Sequence, residues 1–121
     1  MNYFTTNGHA ISKRFLTPEM ARCLSMESRN TINTIVFFQK GEFYQVYGHF
    51  ARFVSDHLKE IPSTKAATRD NDRIWMFAVA GDVIEEYAEE LGRIGYPTAL
   101  VQTKVVGGKR HNYVRSRFVT D

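Results

Sequence analysis

Residues 34–58 constrain the fold of this 121-residue chain more than any other stretch. Two short runs rich in β-branched and aromatic residues meet at Lys40 and Gly41, a junction typical of a tight turn between two strands. The stretch therefore predicts a strand, a turn, a strand and then a helix. The helix is indicated by apolar residues at i, i+3, i+4, i+7 and i+8, which are Phe50, Phe53, Val54, His57 and Leu58.

A further helix is predicted before this stretch. Residues 17–19 supply a threonine that can cap free amide groups, a proline preset for the first helical position and a glutamate suited to the positive end of the helix dipole. The helix is expected to run to about Arg29, with Met20, Cys23 and Leu24 on the face that packs against a sheet. Cys23 is interpreted as a small core residue rather than a nucleophile.

The polar residues 61–72 predict a loop, and the apolar residues 73–79 predict a buried strand. Asp82 is expected to cap a third helix that ends near Gly95. Four glutamates on the outer face of this helix indicate a solvated surface rather than a metal or catalytic cluster. The inward residues are Ile84, Tyr87, Ala88 and Leu91, and the outward ones are Glu85, Glu86, Glu89 and Glu90.

A hairpin is predicted at the end of the chain, with strands at 98–106 and 109–120 joined by Gly107 and Gly108. Strict alternation would place His111, Tyr113, Arg115, Arg117 and Val119 on one face of the second strand, and Asn112, Val114, Ser116 and Phe118 on the other. The basic face has two interpretations, a charged edge that resists aggregation or a ribbon that contacts phosphates.

The order of these elements predicts an α/β fold, with α+β as a variant, in which a mixed sheet of about five or six strands is flanked by about three helices. We expect residues 1–16 to form an arm or a short strand and residues 17–121 to form a single globular domain. One cysteine excludes an internal disulfide, and the absence of a leader or a long apolar run predicts a cytoplasmic protein without a membrane partner. The net charge of +3 permits nucleic-acid binding without requiring it.

Catalysis is not expected, because the sequence holds no glycine-rich phosphate loop, no CxxC pair and no HExxH motif. No nucleophile with a base can be assembled from sequence neighbours. We therefore predict a protein without catalytic residues, metal ligands or a cofactor.

Three segments resemble the mismatch-recognition domain of MutS proteins, called MutS domain I. Residues 37–47 are similar to the phrase FFRMGDFYELF that opens that domain, and residues 84–102 are similar to its pattern of spaced apolar residues ending in glutamine. Residues 113–120 look like its closing phrase VxRxVTPG. The segments follow the order of the family across nearly the whole chain.

The resemblance implies candidate reading residues. In the family, the phenylalanine of the opening phrase stacks on a mispaired base from the minor groove, and a glutamate two residues later hydrogen-bonds that base. The matching positions are Phe43 and Gln45, and Met76 is the match to a methionine-containing loop. Gln45 replaces the acid with an amide that can donate and accept. A core position for Phe43 is the competing interpretation.

The resemblance implies a non-enzymatic nucleic-acid-binding module with DNA as its partner, expected to act without the ATPase and clamp domains of the family. The candidate phosphate contacts are Lys40, Arg69, Arg73, Arg115 and Arg117. The alternative is a protein-interaction module that keeps this fold and binds a replication or repair component. The basic return strand favours the first function, and the missing acid favours the second.

Overall fold

The computed structural model describes residues 3–28, 34–58 and 64–118. Within these ranges the chain forms six strands and three α-helices, and a 3-10 turn (Lys13–Phe15) precedes the first helix. The predicted α/β class with a mixed sheet flanked by helices is confirmed. The strands are β1 (Ile35–Lys40), β2 (Phe43–Tyr47), β3 (Thr64–Ala67), β4 (Arg73–Ala80), β5 (Thr98–Val106) and β6 (Lys109–Phe118), and the helices are α1 (Pro18–Ser28), α2 (His49–Leu58) and α3 (Ile84–Arg93).

The strands form one sheet in the order β3-β4-β2-β1-β5-β6. The pair β1 and β5 is parallel, and every other neighbouring pair is antiparallel. Parallel neighbours require a crossover connection, and the segment between β2 and β5 supplies one that includes both α2 and α3. The tight β1–β2 turn predicted at Lys40 and Gly41 is confirmed, since Lys40 pairs with Phe43.

Alternation along the strands divides the core between two faces of the sheet. On the first, which we call the α2–α3 face, side chains such as Phe37, Tyr44 and Leu100 pack against α2 and α3. On the second, the α1 face, Phe38 and Tyr47 are among those that pack against α1 and the N-terminal arm. The predicted inward helical faces are therefore confirmed, including buried positions for Met20, Cys23 and Leu24 and for Ile84, Ala88 and Leu91, with Tyr87 partly buried.

Several predicted helix ends and turns are present. The Thr17 hydroxyl oxygen accepts a hydrogen bond from the Met20 amide at 3.3 Å, so threonine caps α1. After the C-terminal end of α3, Gly95 has φ of 98° and the Tyr96 amide donates a hydrogen bond to the Leu91 carbonyl at 3.0 Å, as in a Schellman motif. The β5–β6 turn uses Gly107 and Gly108 at φ of 58° and 77°, which fits a type I′ hairpin.

Two local predictions were wrong. Residues 64–67 were expected to lie in a loop, but they form β3 and pair with β4. This edge strand buries little of its surface, so it carries no apolar alternation that could have revealed it. Asp82 was expected to cap α3, but the helix begins at Ile84 with Val83 at the capping position and no side-chain cap. The predicted end of the first helix at Arg29 and the last residues of the final strand, 119–120, lie outside the described residues.

The alternation predicted for β6 was also wrong. The pairing of β5 and β6 shifts between Leu100 and Val101, because Leu100 pairs with Ser116 whereas Val101 pairs with Val114. Arg115 is the extra residue, and such a bulge changes the phase of the strand. Residues on either side of it therefore do not share one continuous basic face.

Candidate nucleic-acid interface

Phe43 is the exposed aromatic residue at the start of β2. Its side chain is 51% exposed, so the competing interpretation of Phe43 as a core residue is wrong. It pairs with Lys40 on one side and with Ala80 on the other, which places it at the end of the sheet where β1 ends and β2 begins. A large aromatic group in this position is free to contact a partner.

Burial rises along β2 on the face that Phe43 occupies. Because side chains alternate along a strand, residues 43, 45 and 47 all lie on the α1 face. Gln45 is half-buried there, and Tyr47 is only 5% exposed. Helix α1 and the N-terminal arm cover Tyr47, and Tyr3 of the arm lies 6.4 Å from it between ring centroids. The cover does not extend to Phe43, so the exposed end of this face is open.

Gln45 and Tyr47 are joined by a hydrogen bond. The Tyr47 hydroxyl donates to Oε1 of Gln45 at 2.6 Å. Burial raises the pKa of Tyr47, so its hydroxyl keeps its proton at neutral pH. The Gln45 side chain is therefore held at its oxygen by Tyr47, on the face of β2 that also carries Phe43.

Lys40 provides a positive charge next to Phe43. Its Nζ lies 3.6 Å from Oε1 of Glu19 at the start of α1, and both side chains keep access to solvent. The pKa of Glu19 is lowered mainly by a hydrogen bond that its carboxylate accepts from the backbone amide of Glu19 itself. The positive charge of Lys40 lowers it further. Exposed ion pairs of this kind are weak, so Lys40 can exchange Glu19 for a phosphate.

The β5–β6 hairpin continues past β1 at the same end of the sheet. Residues 98–101 of β5 pair with β1, whereas residues 102–106 pair with β6 alone. The neighbouring pair Val105 and Arg110 lies on the α1 face, because β5 alternates from the buried Val101. We call Lys40, Phe43, Gln45, Val105 and Arg110 the sheet-end surface.

Sequence reasoning did not select Arg110 as a site residue. The signal for it was available, because Arg110 directly follows a predicted two-glycine hairpin turn in a segment rich in basic residues. What the sequence did not reveal was that the hairpin projects past β1, since the pairing of β1 with β5 is a contact between residues far apart in the chain.

Arg115 lies on the opposite face from Phe43. Its guanidinium donates to the Tyr44 hydroxyl at 3.3 Å and to Oε1 of Glu85 in α3 at 2.7 Å. The Tyr44 hydrogen bond is the main cause that raises the pKa of Arg115. Tyr44 also accepts from Nε2 of Gln102 at 3.0 Å, so Arg115 fastens β6 to the core of the α2–α3 face.

The remaining predicted contacts lie away from Phe43. Arg73 begins β4 and Ala80, the partner of Phe43, ends it, so about 23 Å of strand separates their backbones. Arg69 lies in the turn before Arg73. Met76 is on the α1 face but pairs with the buried Tyr47 and is itself partly covered. Arg117 pairs with Ala99 in β5, and its side chain lies outside the described residues.

Across residues 3–28, 34–58 and 64–118, no group of three or more histidine, cysteine, aspartate or glutamate side chains could hold a metal ion. No helix in that part of the chain is long and apolar enough to cross a membrane.

Comparison with known proteins identifies the family. A family model described as MutS domain I matches residues 17–118. The chain belongs to the MutS domain I family. It is also 31% identical over 87 residues to the DNA mismatch repair protein MutS of Desulforamulus reducens. That match covers 72% of this chain and 10% of the relative, so the chain spans a small part of the length of that protein.

The MutS domain I match begins at Thr17, the residue that caps α1. All eight candidate site residues lie within it, and the N-terminal arm lies before it. The arm is nonetheless fastened to the domain, because the Thr6 amide donates to the Arg73 carbonyl at 2.9 Å and the Arg69 amide donates to the Phe15 carbonyl at 2.7 Å. The arm therefore completes the cover over the buried end of the α1 face.

Proposed function

We propose that this chain is a non-enzymatic DNA-binding module in which Phe43 inserts at a weakened base step of a duplex, such as a mispair. The observation that carries the proposal is the half-exposed Phe43 at the end of the sheet, between Lys40 on the same face and the amide of Gln45. The membership of the chain in the MutS domain I family supports this function. The similarity to the DNA mismatch repair protein MutS of Desulforamulus reducens also supports it.

The physical basis is the cost of opening a base stack. An apolar side chain that enters between two base steps must unstack them, which costs a few kcal/mol, and the cost is lowest where a mispair has already weakened the stack. A residue that acts in this way must protrude from the protein, as Phe43 does. It also needs positive charge nearby to hold the phosphate backbone.

Lys40 and Arg110 are the phosphate contacts we propose, because Lys40 pairs with Phe43 and Arg110 lies on the same face, three strands away in the projecting hairpin. Arg115 is committed to Tyr44 and Glu85 on the other face, and Arg73 and Arg69 lie at the far end of β4. Those three arginines serve the same DNA contact only if the duplex wraps around the domain.

Replacement of Lys40 by alanine is expected to weaken binding to every duplex and to reduce the slope of log K against log salt by about one unit. The measurement is a fluorescence-anisotropy titration of a mismatched duplex, a matched duplex and a single strand over a range of salt. The matched control is Lys65→Ala, which removes the same charge from an exposed lysine of β3 that lies over the ring of Trp75 in β4. An equal loss of slope in both variants would show that binding follows net charge rather than this surface.

The second candidate function is protein interaction. It is favoured by Val105 and Val106, which are both exposed at the tip of the projecting hairpin. If the wild-type protein binds neither duplex nor single-stranded DNA at low salt, protein interaction would be favoured over DNA binding.

A further inference from the structure

We propose that Tyr47 is a positioning residue that makes Gln45 a hydrogen-bond donor toward DNA, so that the module favours a base whose minor-groove edge carries an acceptor and no donor. This specificity rests on the proposed function, because it assumes that Phe43 and Gln45 meet a base. It concerns the chemical class of base at the Phe43 step rather than whether DNA binds.

The burial of Tyr47 fixes the direction of its hydrogen bond to Gln45. The Tyr47 hydroxyl lies in the core of the α1 face, where a buried O–H requires an acceptor. Oε1 of Gln45 lies 2.6 Å from it and fills that need. If the amide were turned over, its NH₂ group would face the hydroxyl, and the Tyr47 proton would lose this acceptor.

The hydrogen bond to Tyr47 leaves the nitrogen of the Gln45 amide, Nε2, without this partner. Because the amide oxygen of Gln45 accepts from Tyr47, the two N–H groups of Nε2 are left for another partner, on the face of β2 that also carries Phe43. Nε2 has no hydrogen-bond partner among the residues that the structure describes, and it is not enclosed as an unsatisfied buried group. The amide beside Phe43 is therefore a donor with free capacity.

The bases differ in how well their minor-groove edges match a donor such as the Gln45 amide. In the minor groove adenine and guanine offer N3 and thymine and cytosine offer O2 as acceptors, and guanine also carries a donor, its N2 amino group. A donor amide therefore matches the edges of adenine, thymine and cytosine, whereas at guanine it also meets a like donor. A carboxylate at the same position would behave in the opposite way, because an ionised acid only accepts.

The test uses the full chain and duplexes that hold one unpaired adenine, or the same site with 3-deazaadenine, which lacks the N3 acceptor. We expect the wild-type protein to bind the deaza duplex about five-fold more weakly, the size of one hydrogen bond. Tyr47→Phe frees the amide to rotate and should reduce that difference to less than two-fold. Tyr44→Phe is the matched control. It also removes a tyrosine hydroxyl, but that hydroxyl contacts Gln102 and Arg115 on the α2–α3 face, so the difference in affinity between the two duplexes should stay the same.

A second variant covers the case in which Tyr47→Phe does not fold. Gln45→Glu keeps the size of the side chain and is expected to reverse the preference, so that a site with guanine binds better than one with adenine. Equal binding of the adenine and deaza duplexes by the wild-type protein would overturn the inference. The proposed function would survive that result if Phe43→Ala still weakened binding, and both fail if the wild-type protein binds none of the duplexes.

Discussion

Replacement of Leu91 by alanine is expected to lower the free energy of unfolding by about 2 to 5 kcal/mol. Leu91 is fully buried on the inner side of α3, where it belongs to the core of the α2–α3 face. The substitution removes the apolar contacts of the side chain and leaves a cavity beneath the helix, which the rigid sheet cannot fill. Urea denaturation followed by circular dichroism gives the value.

The neighbouring Glu90→Ala provides the control. Glu90 is exposed on the same helix, and such surface changes usually stay within about 0.5 kcal/mol. A loss of less than 1 kcal/mol in Leu91→Ala would contradict the packing of α3 described above. A large loss in Glu90→Ala would show instead that the helix itself is sensitive to any substitution.

The stability of the protein is expected to fall as the pH rises from about 5 to 8, because of Glu27. This carboxyl is buried under the N-terminal arm, where the Tyr3 hydroxyl donates to its Oε1 at 3.5 Å. Burial raises the pKa of Glu27 to about 8, from an ordinary value of 4.5. Below pH 4.5 the group is protonated in both the folded and the unfolded chain. Above that value the unfolded chain releases the proton first, so the folded state progressively loses stability until about pH 8.

The size of this effect is on the order of 3 kcal/mol between pH 5 and 8. Glu27→Gln keeps the shape of the side chain and removes its titration, so the difference in stability between the two proteins isolates the effect of this one group. We expect Glu27→Gln to be more stable than the wild-type protein at pH 8 and closer to it at pH 5. Parallel unfolding curves with no change in the difference over this range would contradict a buried, protonated Glu27.

Elements with a buried apolar face could be predicted from the sequence, and those without one could not. The helical spacing of Phe50, Val54 and Leu58 corresponds to a buried face in α2, because burial is what produces such a pattern. The strand β3 has no buried face, so its residues look like a loop in the sequence. Its existence depends on pairing with β4, a contact that local composition does not encode.

The same distinction separates the candidate site residues that lie close to Phe43 from those that do not. Phe43, Gln45 and Lys40 lie within two short paired strands, so their proximity follows from the hairpin turn alone. Arg115 and Arg117 were grouped by strict alternation, which the bulge in β6 breaks. Arg73 was grouped with Phe43 by charge, although the length of β4 keeps them at opposite ends of the sheet.

The central claim is that Phe43 contacts the base stack, and a comparison of two phenylalanines tests it most directly. Phe43 and Phe4 are 51% and 50% exposed, and Phe4 lies in the N-terminal arm. The measurement is the affinity of Phe43→Ala and Phe4→Ala for a mismatched duplex, with unfolding curves recorded on the same samples. We predict that Phe43→Ala weakens binding by about 1 to 3 kcal/mol with folding nearly intact, whereas Phe4→Ala leaves binding unchanged. Unchanged binding in Phe43→Ala, or an equal loss in both variants, would contradict the account.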